Sequence, residues 1–370
     1  MRAPRWRVLN GADAAATVHR SRGSRAGLGG TAETRAMTTR LDTLAARYRE
    51  LIPTGALNAA GLNSTAIDAL LRAGTLVRIR RGMFVWGTLW RESDPDDRYR
   101  LFVRASAACA TRPLVLSHIS AAALHGLPYI GLWPREVHAL DPEATGGSHA
   151  RFLTAHRGAP APATVEVAGC TATSLVRTLV DVAAGTNFLT AVVMIDHALR
   201  VEQVRAADDA FLGRSGARAI TKDDLLTELA LVNPRRGFRQ AEAAIDFANP
   251  LSANGGESLS RVRLFELGFV VPELQVGFPN VRGHNYWVDF YWRTVRKIGE
   301  FDGHQKYTRG RILAGRDPAE VVLQEKKRED ALREHSDSFM RWDWDLVESP
   351  RRFFEFLVEH EVPRAATRPC

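Results

Sequence analysis

Between Thr39 and Trp86 the spacing of apolar positions changes period. Leu41, Leu44, Ala45 and Tyr48 recur at helical intervals, which predicts a helix that Pro53 ends. Thr54 can cap a short second helix through Ala60, and Gly61 turns the chain. Asn63 or Ser64 then caps a third helix, with Ile67, Leu70 and Leu71 on one face and Gly74 as its stop. From Thr75 to Trp86 the period drops to two. Two alternating segments flank Arg81-Gly82, which predicts a hairpin.

Helix, helix, turn, helix, hairpin is the order of a winged helix-turn-helix, here residues 37–92. The third helix is short and capped, so Ser64 and Thr65 at its N-terminal end are placed to enter a major groove. Arg72, Arg78, Arg80 and Arg81 follow with no acid between them, and a hairpin tip of that charge suits phosphates or a minor groove. Asp68 on the same helix works against a purely electrostatic footprint. The expected partner is double-stranded DNA. A protein-binding role, with the arginines as a solvated face, is the alternative.

An acidic linker, Glu92 to Asp97, leads to a helix through Leu101, Val103 and Ala107. Ser117 can cap a small-residue helix carrying His118 and His125, which share a face seven residues apart but have no acid or cysteine near them in sequence. They read as structural. Strands follow at Val137–Leu140, Arg151–Thr154 and Thr164–Val167. Helical runs after Thr173-Ser174 and from Ala191 to Leu199 carry Asp181 and Asp196, each expected to pair with a nearby arginine, Arg177 or Arg200. Residues 98–248 are read as a small linking α/β domain, closed by Asn249-Pro250. Arg235, Arg236 and Arg239 form a modest basic patch near its end.

The last third is organised around NYWVDFYWRTVRKIGEFDGHQKY, Asn285 to Tyr307. Tyr286–Trp292 and Lys297–Phe301 read as two strands. Asp289 sits inside the first, and Glu300 and Asp302 share a face of the second. Carboxylates brought together at a hairpin repel one another unless a cation lies between them, and hard oxygen donors suit Mg²⁺ or Mn²⁺. A helix from Gly255 carries Glu257, a second helix starts near Gln324, a strand runs Phe339–Trp344, and a last helix spans Pro350–Glu359. The tail from Pro363 to Cys370 is expected to fray.

Charge adds less than the total implies. The net charge is +8, but residues 1–36 contribute seven arginines against Asp13 and Glu33, a net of +5, which leaves +3 for the rest. That leader lacks periodicity and is expected to be disordered: either a basic arm that adds DNA affinity, or a stretch upstream of a true start at Met37. Cys109, Cys170 and Cys370 are odd in number and far apart, which argues for neither a disulfide framework nor a zinc spacing and fits a cytoplasmic setting. No run of 18 apolar residues predicts a membrane span.

Two resemblances follow. Gly74-x-Leu76-x-Arg78-x-Arg80-Arg81-Gly82-x-Phe84 resembles the N-terminal domain of the AbiEi-type antitoxins of type IV toxin–antitoxin systems. That resemblance implies a winged helix that binds its own promoter and represses it, with a cognate toxin encoded nearby. Asp289, then about ten residues, then Glu300-x-Asp302-Gly303 resembles the PD-(D/E)XK nucleases, within them the very-short-patch-repair-like endonuclease domains, over about residues 250–358 of a domain read as 250–362. It implies a restriction-endonuclease-like α/β domain, with Glu257 as a helix-borne acid. Asp302 stands where the motif often has lysine, so Lys306 or Lys326 would supply a migrated cation. The chain is thus read as an α/β multidomain protein of three parts. Its leading function is metal-dependent cleavage of bound DNA, with Asp289, Glu300 and Asp302 on the metal. The alternative is a non-catalytic antitoxin and autorepressor with a degenerate nuclease domain.

Overall fold

A computed structural model describes residues 32–141, 148–150, 152–158, 163–303 and 318–366. The chain divides into two units: residues 1–185 with 222–238, and residues 186–221 with 239–370.

The first unit begins with the expected helical elements. The opening helix runs Ala32–Arg47, so it starts five residues before Met37, inside the stretch read as a disordered leader; residues 1–31 of that leader lie outside the described residues. Strand β1 (Ile52–Pro53), a helix Thr54–Ala59 and a helix Ser64–Arg72 follow. Asn63 caps the last of these, its Oδ1 accepting from Ala66 N–H at 2.9 Å. Thr54 does not cap its helix; its hydroxyl donates to Gly82 O and braces the hairpin turn. Strands β2 (Leu76–Arg80) and β3 (Met83–Trp86) make that hairpin, and the sheet order is β1-β3-β2. Gly82 at the tip has φ +79, a conformation that costs a side chain energy. Leu41, Ile52, Leu57, Ile67, Leu76 and Phe84 are buried together beneath it, so the helical and alternating faces meet in one core.

The remainder of this unit is a six-stranded sheet with helices. A helix Pro95–Ala108 is capped by Asp94, which accepts from Asp97 N–H. Strands β4 (Val115–Leu116), β5 (Val137–Leu140), β6 (Ser148–Ala150), β7 (Leu153–His156), β8 (Thr164–Val167) and β9 (Cys170–Thr173) lie in the order β6-β7-β5-β4-β9-β8. The small-residue helix His118–Leu124 buries Ala121, Ala122 and Ala123 completely. Ser117 does not cap it; its hydroxyl meets His118 Nδ1 at 3.0 Å. His118 stacks on His156 at 3.7 Å between ring centroids. Arg177 and Asp181 pair as expected, at 2.8 Å in the buried helix Leu175–Gly185.

The second unit takes residues that the sequence reading gave to the linking domain. The helix Phe188–Phe211 and most of the helix Phe238–Phe247 pack with the helix Gly255–Glu266. The reason is a buried ion pair. Asp196 is fully buried and takes Arg261 Nη1 at 2.8 Å, with Ser258 and the Asn249 N–H as further donors. Its partner is therefore Arg261, 65 residues away, and not Arg200. Phe188, Phe247 and Phe265 form an aromatic cluster beside it. Strands β10 (Glu273–Val281), β11 (His284–Trp292), β12 (Lys297–Asp302) and β13 (Ser338–Asp343) form a sheet in that order. The first three are antiparallel and β13 is parallel to β12, an arrangement that needs a crossover, here carrying the helix Pro318–Arg333. The final helix spans Pro350–Glu359 and buries Phe353 and Leu357. No described helix is long and apolar enough to cross a membrane.

Candidate nucleic-acid interface and carboxylate cluster

The short helix Ser64–Arg72 presents its N-terminal end to solvent. Asn63, Ser64 and Thr65 are exposed, while Ile67 is buried and fixes the rotation of the helix. Beside that end, the hairpin carries Arg78 and Arg81, both exposed. Together they line a cleft of about 850 Å³ whose walls include Thr54, Asn58, Ser64 and Gly82. Hydroxyl, amide and guanidinium donors beside a helix N-terminus are the groups that hold phosphate oxygens and reach base edges. Asp68 also lines the cleft and holds Arg78 at 3.8 Å, so Arg78 is partly neutralised. Both side chains are more than half exposed, and such a pair is weak. Arg72 is exposed at the far end of the helix.

Arg80 is not with them. Simple alternation would put it on the face of Arg78. The register shifts between the two, with Arg78 opposite Phe84 and Arg80 opposite Met83. This bulge sends the Arg80 guanidinium over the rings of Phe102 and Phe152, at 5.5 and 4.7 Å from their centroids. The expected DNA-contacting set is thus split: Ser64, Arg78 and Arg81 line one cleft, Thr65 is exposed next to Ser64, Arg72 lies at the other end of the helix, and Arg80 packs against aromatic rings.

In the second unit the structure brings Glu257 to Asp289. Gln275 Nε2 lies 3.3 Å from Glu257 Oε2 and 3.3 Å from Asp289 Oδ1, and so bridges the two. Glu257 is buried, and its carboxylate also accepts from the Ala253 N–H and from Asn254 Nδ2. Burial, then the neighbouring Asp289, push its pKa well up from the glutamate value. Asp289 is also raised, chiefly by burial. The Phe301 N–H, 3.0 Å from Oδ2, opposes that shift and the Glu300 charge adds to it. Gly256 makes this packing possible, because a Cβ there would lie 2.0 Å from Phe301 Cε1.

Glu300 stands across the strand pair from Asp289, one step beyond the Phe290–Gly299 partners. Its carboxylate is held by arginines: Arg328 donates to both oxygens, and Arg341 donates to Oε2 at 3.0 Å. Asp302 lies at the end of β12, half-buried and in register with Asp343. Among the described residues, no three His, Cys, Asp or Glu side chains are grouped so as to hold a metal ion. Among the described residues the expected metal set of Asp289, Glu300 and Asp302 is therefore not grouped about one point: Glu257 joins Asp289, arginines engage Glu300, and Asp302 lies beside Asp343 at the end of β12. Lys326 is exposed, two residues and so about 200° around the helix from Arg328. Lys306 lies outside the described residues. Gln275, Arg328 and Arg341 were not legible in sequence. Arg328 is one of three consecutive basic residues, and only the phase of its helix selects it.

Residues 40–85 match the family described as transcriptional regulator, AbiEi antitoxin. No curated protein matches the chain. Among solved structures, the crystal structure of the RV2827C protein from Mycobacterium tuberculosis is similar at 20% identity over 57% of this chain and 76% of that chain, with a TM-score of 0.33. The exposed helix end and the arginine-bearing hairpin thus lie within a stretch, residues 40–85, that is similar to the AbiEi antitoxin-type transcriptional regulators.

Proposed function

We propose that this protein is a DNA-binding transcriptional regulator of the AbiEi antitoxin type. It recognises duplex DNA, its own promoter included, and is paired with a toxin encoded nearby. One observation carries the reading: Ser64 and Thr65 stand exposed at a capped helix end beside Arg78 and Arg81, inside the stretch that matches the regulator family. The helix end reads base edges in the major groove, and the hairpin arginines take flanking phosphates. The test is binding of the purified protein to its own upstream duplex and to a shuffled duplex of equal length and composition. Preference for the upstream duplex of at least about tenfold is expected, since base-specific contacts are worth about 1–3 kcal/mol each. Equal affinity for both duplexes at every salt concentration would overturn it.

A second reading, metal-dependent phosphodiester cleavage, rests on the meeting of Glu257 with Asp289 in two raised carboxyl groups. Carboxylates of that kind suit Mg²⁺ or Mn²⁺ by donor chemistry. Their present arrangement does not fit a bound ion, because Glu300 is engaged by Arg328 and Arg341. Cleavage of supercoiled and linear DNA with either ion, against EDTA and against Asp289→Ala, tests it. Melting temperature gives a second readout: Mn²⁺ should raise it in the wild type and not in Asp289→Ala. No cleavage and no metal-dependent stabilisation would leave the regulator reading alone.

A further inference from the structure

A second cleft of about 580 Å³ lies within the first unit, between the hairpin-bearing part and the six-stranded sheet. Its charge is one-sided. Arg47, Arg49 and Arg104 line it, and none of them has an ion pair among the described residues. Arg104 is half-buried and donates Nη2 to the carbonyl oxygen of Arg49 at 2.7 Å, which fixes its guanidinium at the cleft. The turn at Gly169 comes close to Arg49, since a Cβ there would be 2.8 Å from Nη1. Glu50 acts on Arg104 and Glu166 acts on Cys170 through space, but neither lines the cleft, and Glu166 accepts the Thr171 hydroxyl. Burial lowers the pKa of Arg104 and the nearby Arg49 charge adds to that, against the opposing influence of Cys170 and Glu50, so an anion at the cleft would offset the repulsion between the two guanidinium groups.

Much of the rest of the lining is apolar, with Cys170 and Thr171 as polar exceptions. Leu51, Pro53, Met83 and Leu114 form walls, and the Tyr48 ring is partly exposed among them. A surface that only tracks a DNA backbone needs charge; it has no use for an apolar recess. A cleft of this volume with a few convergent polar groups has the dimensions of a small-molecule site. Guanidinium forks match phosphate oxygens two at a time, and, with the Arg47 guanidinium over the Tyr48 ring at 5.7 Å from its centroid, the apolar wall at Pro53 and Met83 is the face left for a planar ring.

We propose that this cleft binds a small phosphorylated molecule of nucleotide size, its phosphate on Arg49 and Arg104 and its ring against Pro53 and Met83. Because the walls come from both the DNA-reading part and the sheet, the occupant is an effector of the regulator. The test uses the full chain with adenosine monophosphate as probe. Inorganic phosphate, adenosine and potassium chloride at matched ionic strength serve as comparisons, read by calorimetry and by melting temperature. The monophosphate should bind and raise the melting temperature more than adenosine or salt, with inorganic phosphate intermediate. Arg47→Ala with Arg49→Ala should weaken binding at least tenfold; because the Arg47 guanidinium lies over the exposed Tyr48 ring, the unliganded melting temperature should fall by no more than about 2–4 °C. The proposal fails if the monophosphate does no more than salt, or if the double variant binds it as tightly as the wild type. It fails equally if the double variant loses duplex affinity while the monophosphate does not bind, because the arginines would then belong to a DNA track.

Discussion

Arg80 and Arg81 are adjacent in sequence, yet the structure gives them different work, and substitution separates the two. The Arg80 guanidinium lies over two rings, at 4.7 Å from Phe152 and 5.5 Å from Phe102. Each cation–π contact is worth about 0.5–1 kcal/mol when exposed and about 2 when desolvated. Arg80 is half-buried, so Arg80→Ala should cost roughly 1–3 kcal/mol of stability in the first unit. For a domain of this size that is a melting-temperature loss of roughly 2–4 °C per kcal/mol. Arg81 has an exposed side chain at the hairpin tip, so Arg81→Ala should leave melting unchanged. It should instead remove one phosphate contact and flatten the plot of log affinity against log salt by about 0.9. Between 50 and 200 mM salt, one lost contact reduces the fall in affinity by a factor of about 3.5. Fluorescence anisotropy on a labelled duplex across that range, with urea melts of each variant, reads both effects. If Arg80→Ala flattens the salt slope as Arg81→Ala does and leaves stability intact, the bulge-based assignment is wrong.

Three further outcomes are expected. Glu257 has a folded-state pKa above its ordinary value of 4.5, so the folded protein holds that proton more tightly than the unfolded chain; stability should fall as pH rises above about 4.5 through the neutral range, and Glu257→Gln should flatten that fall in pH-dependent urea melts. Gly256→Ala should destabilise the second unit by about 1–3 kcal/mol through collision with Phe301, and Phe301→Leu in the same chain should recover part of the loss; a Gly256→Ala variant as stable as wild type would show that the helix and β12 are looser than described. Arg261→Met should cost about 3–5 kcal/mol, because it strands the fully buried Asp196 charge, whereas a loss below about 1 kcal/mol would mean that Asn249 and Ser258 suffice as partners.

What the sequence determined was local. Helical spacing at Leu41, Leu44 and Ala45, a cap at Asn63 or Ser64, and alternation around Arg81-Gly82 place the helices and the hairpin of this region, because each depends on residues within a turn or a strand pair. The strands at Val137–Leu140 and Thr164–Val167 and the helix at Pro350–Glu359 were legible for the same reason. The tertiary structure decided everything that depends on distance or phase. One extra residue in β2 turns Arg80 away from Arg78, and a bulge has no signature in a period-two pattern. Asp196 belongs to Arg261, 65 residues on, which assigns the helix Phe188–Phe211 to the second unit. Which carboxylates meet was settled by packing as well: Gly256 lets Phe301 approach, Gln275 joins Glu257 to Asp289, and Arg328 and Arg341 reach Glu300 from other elements. A sequence lists charges along one dimension, whereas the energy of a buried carboxylate depends on which donors and charges surround it in three.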